Sequence, residues 1–139
     1  MAETGARAVG LLEAWERREY DKVMEMFAPG ATVRDMPRGI ELTDRAEIRD
    51  WVVGWVTACS DAVAGATAAA SDDGAAVIQG TYKGTNDGPF GPMPATGRTV
   101  SMPFAIAMRF TPAGLVTDYD VYYDMLSLLT QLGHVPATS

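Results

Sequence analysis

The sequence predicts an α+β domain with a largely antiparallel sheet, and three observations support this class. Apolar residues recur with helical spacing before residue 60. Alternating apolar and polar residues, separated by turn signals, fill the second half of the chain. Helices gathered early and strands gathered late are typical of α+β proteins. The length of 139 residues suits a single domain, which we expect to span 1–139.

The first half of the chain contains three predicted helices and a strand. Two apolar groups at helical spacing come first: Ala8, Leu11, Leu12 and Trp15, then Tyr20, Val23, Met24 and Phe27. They predict two short helices or one bent helix, ended by Pro29-Gly30. A short strand is predicted over 31–35. The clearest helix begins at Thr43-Asp44 and presents one apolar face: Ile48, Trp51, Val52, Trp55 and Cys59.

The second half of the chain is predicted to form four strands and a last helix. The strands are placed, the first from context alone, at 62–70, 75–83, 99–111 and 115–124. Glycine and proline residues predict a loop over 84–97. The strand 99–111 has an apolar side: Met102, Phe104, Ile106, Met108 and Phe110. The final helix contains Leu128 and Leu132 and stops at Gly133.

Charge and composition exclude several classes of partner. The formal net charge of −7 argues against nucleic acid, which needs a basic surface, and against an anionic membrane. Cys59 is the single cysteine, so no internal disulfide can form, and we interpret it as a buried thiol. Without a signal-peptide pattern or an apolar run of about 20 residues, a cytoplasmic location is expected.

Three stretches of sequence carry a resemblance to a known family. The first is the helix pair running into a strand, residues 15–33, which ends in FAPGATV. The second is the loop GTNDGPF at 84–90, continuing through PATGR at 94–98, and the third is YYDMLSLLTQLG at 122–133. Together with the order of elements, they resemble the SnoaL-like polyketide cyclases of the nuclear transport factor 2-like superfamily. The resemblance covers residues 5–133.

This resemblance implies a cone: a curved, mostly antiparallel sheet, with helices packed on its concave face around a pocket, in a homodimer. It implies the fold more firmly than the reaction, because relatives include aldol cyclases, ketosteroid isomerases, limonene-epoxide hydrolases, hydroxylases and non-catalytic binding modules. No glycine-rich phosphate loop opens a helix, so no nucleotide cofactor is expected. The single histidine, His134, lies in the predicted tail, which argues against a metal site.

The strand 116–124 is the richest source of candidate catalytic residues. Its even positions place three carboxylates and a phenol on one side: Asp118, Asp120, Tyr122 and Asp124. We expect this side to look into the cone, where partial burial suits carboxylates to proton transfer. The other side, with Tyr119, Val121 and Tyr123, is then an exposed apolar face on which two copies could pair.

The resemblance makes Asp124 the first choice as general base, because aldol cyclases use an acidic residue on this last strand to remove a proton next to a carbonyl. Asp124 is equally a good N-cap for the helix that follows. Asp120 is a second candidate acid or a solvated carboxylate. Tyr122 could donate a hydrogen bond to an enolate oxygen or simply pack in the pocket.

Asp35 ends the first strand at a position that resembles the general base of ketosteroid isomerases. It is also a normal turn acid before Met36-Pro37. The tyrosine and aspartate that form the oxyanion hole of those isomerases fall on Leu11 and Ile106 here. The last-strand aspartate of the epoxide hydrolases falls on Val121, so that reaction is disfavoured.

The predicted pocket is apolar and aromatic. Six residues are its candidate walls: Trp15, Trp51, Trp55, Tyr82, Phe90 and Phe104. A few polar groups in such a pocket are typical of a site for an apolar small molecule. Three hypotheses follow: a cofactor-free enzyme that closes a ring by aldol chemistry, a non-catalytic binding module, and an isomerase or hydroxylase on the same scaffold.

Overall fold

Six strands form one curved sheet in the computed structural model, which describes residues 2–135. The strands are β1 (Phe27–Asp35), β2 (Ile40–Leu42), β3 (Thr67–Asp72), β4 (Ala75–Thr85), β5 (Thr99–Phe110) and β6 (Val116–Tyr123). Their order across the sheet is β2-β1-β6-β5-β4-β3. All neighbours are antiparallel except β1 and β6, which pair in parallel. The predicted α+β class with a mostly antiparallel sheet is confirmed.

Four helices accompany the sheet: α1 (Ala2–Glu16), α2 (Tyr20–Glu25), α3 (Arg45–Ala58) and α4 (Met125–Leu132). The choice between one bent helix and two short ones is settled in favour of two. The apolar faces of α1 and α3 meet where the Trp15 indole donates a hydrogen bond to the carbonyl of Val52, 3.0 Å away. Within 2–135, no helix is long and apolar enough to cross a bilayer.

Strand β1 begins earlier than predicted. Phe27 was placed in the second helix, but it opens β1 and packs its ring against Tyr119, with centroids 5.6 Å apart. Pro29-Gly30 does not end the segment, because both residues lie in an irregular part of β1 where the pairing with β6 shifts register. Pro lacks a ladder donor and Gly30 has φ +78°, so both suit such a bulge.

The strand predicted in the small-residue stretch 62–70 agrees with the structure only in part. In place of the predicted strand over 62–70, the structure has β3 at Thr67–Asp72. Before it, Val63 forms a bridge to Lys83, and the carbonyl of Ala64 accepts a hydrogen bond from the N–H of Thr81. At Gly80 a side chain would clash with the carbonyl of Ala64, so the chain can cross β4 closely there. The Glu16 carboxylate accepts hydrogen bonds from the N–H groups of Ala64 and Gly65, which satisfies this irregular backbone.

The predicted orientation of β6 is wrong. The pairing with β5 shifts between Arg109 and Phe110, so that Thr117 is an extra residue and the alternation of sides is broken there. Beyond this point Tyr119 and Val121 are buried, whereas Tyr122 is 46% exposed. Asp118, Asp120 and Tyr122 therefore lie on the outer side of the sheet. The opposite side, which carries Tyr119, Val121 and Tyr123 and was expected to be exposed, faces the interior. The homodimer inferred from it stays a prediction.

Asp124 is the N-cap of α4, in agreement with the capping alternative. Its Oδ1 accepts a hydrogen bond from the N–H of Ser127 at 3.1 Å, and its backbone is extended, as expected of an N-cap. The helix ends at Gly133 in the left-handed conformation, with φ +85°. Asp44 is likewise the N-cap of α3, where its carboxylate accepts a hydrogen bond from the N–H of Glu47.

Replacing Asp124 with alanine is expected to lower the free energy of unfolding by about 1 kcal/mol, because the N–H of Ser127 loses its acceptor. Asparagine also accepts this hydrogen bond, so Asp124→Asn should change the stability little. Urea denaturation of both variants measures the difference. Equal losses in the two variants would show that the carboxylate does more than cap the helix.

Candidate functional site

An apolar cavity lies between α1, α3 and the concave face of the sheet. Its volume is about 60 Å³, enough for a few water molecules and far less than a drug-sized ligand occupies. Five of the six predicted wall residues line it: Trp15, Trp51, Trp55, Tyr82 and Phe104. Leu11 and Ile106 line it as well, so the positions of the isomerase oxyanion hole are apolar. A ligand larger than a few atoms therefore requires some of the wall to move.

Trp55, on α3, is the centre of the aromatic wall. Its ring centroid lies 5.3 Å from those of Tyr82, Tyr123 and Phe90, and 6.0 Å from that of Trp51. Tyr82 and Tyr123 meet Trp55 almost edge-on, a favourable arrangement of ring quadrupoles. The Tyr82 hydroxyl also donates to the carbonyl of Trp55 at 2.5 Å, which holds the helix against β4.

Phe90, the sixth predicted wall residue, lies outside the cavity. It packs against Trp55 from the 86–98 loop and lines a surface groove of about 350 Å³, together with Trp51 and Arg38. Trp51 lines both spaces. Phe90, Trp51 and Arg38 thus belong to the region that separates the cavity from solvent.

The loop that carries Phe90 is anchored by one buried amide. The Asn86 side chain donates to the carbonyls of Ala58 and Gly88, at 3.0 and 2.9 Å, and accepts from the N–H of Thr96 at 2.8 Å. With its hydrogen bonds provided by the protein, this amide is stable in the interior. Asn86 therefore fixes the position of the loop against the end of α3.

Asp35 forms a polar cluster at the edge of the cavity. It is aligned in the parallel pairing with Val121, a cavity residue, and its side chain is completely buried. Its Oδ1 accepts a hydrogen bond from the Tyr123 hydroxyl at 2.7 Å, and its Oδ2 accepts one from the Trp51 indole at 3.0 Å. Both donors line the cavity, so the carboxylate lies directly behind the wall.

Arg38 neutralises this carboxylate. The 3₁₀ turn Met36–Arg38 follows β1 and returns the Arg38 side chain to Asp35, whose Oδ2 lies 2.7 Å from both Nε and a terminal nitrogen. Asp35 makes no side-chain hydrogen bond to the backbone of this turn, so the turn-acid alternative does not describe it. A buried carboxylate without such a partner would be strongly unfavourable.

Burial raises the pKa of the Tyr123 hydroxyl well above its usual value of 10.0, and its hydrogen bond to Asp35 acts in the same direction. Burial also raises the pKa of Tyr82 and of Tyr119. These phenols remain protonated at neutral pH, and Tyr123 can therefore act as a hydrogen-bond donor at the cavity edge.

The other predicted catalytic residues lie away from the cavity. Asp120 pairs with Arg34 at 2.9 Å on the outer side of the sheet, and Asp118 lies 3.6 Å from the same guanidinium. Tyr122 is exposed beside them and Asp124 caps α4. Of the four predicted catalytic residues, only Asp35 therefore lies at the cavity. The register shift in β6 turns Asp120 and Tyr122 outward, and Asp124 caps α4.

Two members of the polar cluster were not predicted, Arg38 and Tyr123. For Arg38, an available signal was the spacing of an acid and an arginine three residues apart across Pro37, which suits a tight turn. For Tyr123, strict alternation along β6 predicts the outer side, because no local sequence signal reveals the extra residue. Within residues 2–135, no group of three histidine, cysteine, aspartate or glutamate side chains could hold a metal ion.

Comparison with known proteins assigns the family. Residues 8–119 match the model of the SnoaL-like domain, and the chain belongs to this family. The resemblance found in the sequence is thereby confirmed. No curated protein matches the sequence closely enough to count as a relative.

Solved structures share the fold. AclR from Streptomyces galilaeus, described as a candidate hydroxylase, is 24% identical with a TM-score of 0.84, over 100% of this chain and 86% of that chain. A protein of ketosteroid isomerase-like fold from Catenulispora acidiphila, in complex with trimethylamine, is 22% identical with a TM-score of 0.76, over 91% and 92%. A candidate SnoaL-like polyketide cyclase from Shewanella putrefaciens is 15% identical with a TM-score of 0.80, over 97% and 88%. At these identities the likeness concerns the fold alone.

The buried tyrosines predict a loss of stability at alkaline pH. A tyrosine in the unfolded chain releases its proton at about pH 10. In the folded protein, Tyr82, Tyr119 and Tyr123 keep their protons to higher pH because burial raises the pKa of each. Their contribution is thus complete below about pH 10 and is lost as the pH rises above it. Urea unfolding from about pH 8 to about pH 11 measures this slope. Tyr119→Phe should make the slope shallower. An unchanged slope would contradict the conclusion that burial raises the pKa of Tyr119.

The position of the Phe90 loop can be tested at Gly88. A Cβ there would fall well inside contact distance of the carbonyl of Thr57, so Gly88→Ala should lower the free energy of unfolding by about 2 kcal/mol. Gly10→Ala is the control: in α1 nothing lies near its Cβ, and it should add about 0.5–1 kcal/mol. Thermal unfolding and tryptophan fluorescence follow both. A Gly88→Ala protein with the stability of the original would be inconsistent with this loop position.

Proposed function

We propose that the protein is a cofactor-independent acid–base enzyme, in which Asp35 removes a proton next to a carbonyl of an apolar ligand and promotes aldol ring closure. The observation that carries the proposal is a completely buried carboxylate held by two residues of an apolar cavity wall. Membership of the SnoaL-like family supports a cyclase-type fold. A positioned carboxylate in an apolar site is a typical general base.

The proposed reaction forms one carbon–carbon bond and moves one proton, which Asp35 removes and later returns. Asp35 takes the proton from the carbon, which leaves an enolate. The enolate carbon then forms a bond with a second carbonyl carbon of the same ligand, and the alkoxide that results takes the proton back from Asp35. Tyr123, Trp51 and Arg38 are the donors near enough to stabilise the enolate oxygen.

Access to Asp35 requires a local rearrangement. Oδ2 accepts hydrogen bonds from Arg38 and Trp51, whereas Oδ1 accepts one only from Tyr123 among the described residues. A carboxylate oxygen has two acceptor positions, so Oδ1 retains one for a proton. Rotation of Tyr123 would expose this oxygen to a ligand while Arg38 stays on Oδ2. Catalytic contacts of this kind often form only when the ligand is bound.

Asp35 replaces Asp124, Asp120 and Tyr122 in this proposal. The positions of those three residues, on the outer side of the sheet and at a helix cap, do not support contact with a ligand in the cavity. The ketosteroid-isomerase alternative shares Asp35 as base. It lacks hydrogen-bond donors at Leu11 and Ile106, where apolar side chains line the cavity.

A second candidate function is non-catalytic binding of a small molecule. The observation that favours it is that Asp35 itself contributes nothing to the cavity wall and is already neutralised by Arg38. The protein of similar fold from Catenulispora acidiphila was obtained in complex with trimethylamine, a small amine. This function predicts binding without exchange of ligand protons.

The enzyme proposal is tested by proton exchange. A panel of polycyclic ketones is incubated with the protein in D2O, and deuterium incorporation next to the carbonyl is followed by NMR. Asp35→Asn keeps the shape of the side chain but removes the base, so it should slow exchange by about 100-fold or more. Asp120→Asn is the matched control on the outer side of the sheet and should exchange at the original rate.

Circular dichroism of both variants verifies that they fold. Exchange that continues unchanged in Asp35→Asn, or that is lost in Asp120→Asn, would overturn the role of Asp35. Binding of a ketone with no exchange in the original protein would favour the binding function.

A further inference from the structure

The carboxylate and the aromatic wall already hold a cation, which is the guanidinium of Arg38. Its Cζ lies 4.7 Å from the ring centroid of Phe90 and 5.2 Å from that of Trp55. The same guanidinium pairs with Asp35 at 2.7 Å. Two aromatic rings and a buried carboxylate therefore converge on one positive group. This combination is the one that proteins use to recognise organic cations.

The site between Trp55, Phe90 and Asp35 is occupied by the side chain of Arg38, which is partly exposed to solvent. The Arg38 side chain is 23% exposed, whereas the Asp35 side chain has no exposure at all. Arg38 also lines the surface groove, with Phe90 and Trp51, while Trp51 continues into the cavity. A group that enters from the groove thus meets Arg38 before it reaches Asp35. Rotation of the Arg38 side chain towards the groove that it lines would uncover the rings and the carboxylate.

We propose that this place is a binding subsite for an organic cation, a tertiary or quaternary ammonium group on an apolar ligand, which displaces the guanidinium of Arg38 from Trp55, Phe90 and Asp35. The inference rests on the proposed function only in taking the same cavity as the ligand site. The apolar part of the ligand occupies the cavity and the groove on either side of the subsite.

Charge decides against other ligand classes. If Arg38 leaves, the buried carboxylate of Asp35 has no counter-charge, and a neutral or anionic group would leave it uncompensated. A ligand cation restores both the ion pair and the contact with the negative ring faces. Two exposed acids on the groove, Glu47 and Asp50, and the net charge of −7 favour the approach of a cation.

The test compares two probes of the same shape. Phenethyltrimethylammonium carries the cation, and its neutral isostere replaces the nitrogen with carbon. Binding to the full chain is followed by tryptophan fluorescence and by the ring-current shift of the probe methyl protons in NMR. The cation should bind about tenfold more tightly than the neutral isostere. Equal binding of the two, or no binding of the cation, overturns the proposal without any variant.

Variants then locate the subsite. Arg38→Gln removes the competing guanidinium and keeps a polar side chain, so it should bind the cation about tenfold more tightly. Asp35→Asn should weaken cation binding by about tenfold or more, while Asp120→Asn leaves it unchanged. If Arg38→Gln does not fold, Arg38→Lys serves, because its ammonium lacks the planar stacking surface and competes less. Weaker cation binding in the folded Arg38 variant overturns the proposal.

The outcome is separable from that of the proposed function. Loss of deuterium exchange in Asp35→Asn, with no preference of the original protein for the cation, supports the enzyme and overturns the cation subsite. A clear preference for the cation, without exchange of any ketone, supports the subsite and overturns the enzyme.

Discussion

One buried carboxylate connects the main parts of this molecule. Asp35 ends β1, and its three partners come from three other elements: the 3₁₀ turn holds Arg38, α3 holds Trp51 and β6 holds Tyr123. Removing any partner would leave part of a buried charge unsatisfied, which costs far more than a surface ion pair contributes. The relative positions of β1, α3 and β6 are therefore coupled through the carboxylate. The same coupling places this side chain at the edge of an apolar cavity, where electrostatic interactions are strong.

The polar cluster around Asp35 lies at one end of the cavity. Trp55 packs against four other rings, and the cavity beyond it is almost entirely apolar. A ligand held there by apolar contacts has a single polar end at which it can be oriented. Arg38 is a part of this end, since it closes the carboxylate off from the groove and stacks on the rings.

The two faces of β6 show how one residue changes the assignment of a site. Strict alternation from Val116 would turn Asp118, Asp120 and Tyr122 inward, and this was the expectation. The extra residue at Thr117 exchanges the two sides, so Tyr119, Val121 and Tyr123 face the cavity. The outward carboxylates are instead arranged around Arg34, next to Glu41 of β2. Because of this one-residue shift, the side predicted to be catalytic carries a solvated ion-pair cluster. The side predicted to pair with a second copy forms part of the cavity wall.

The sequence alone determined what depends on local periodicity and on recognisable motifs. The helices α1 and α3, the long strands β4 and β5, the α+β class, the family and five of the cavity residues all follow from spacing and from short stretches of residues. No sequence pattern predicts the parallel pairing of β1 with β6, the register shift in β6 or the cluster around Asp35. The physical reason is that these depend on contacts between distant segments: Asp35 and Tyr123 are 88 residues apart, and neither has a local pattern that specifies the other. Which of several acids is buried is settled by packing and by the availability of partners, and these exist only once the sheet has formed.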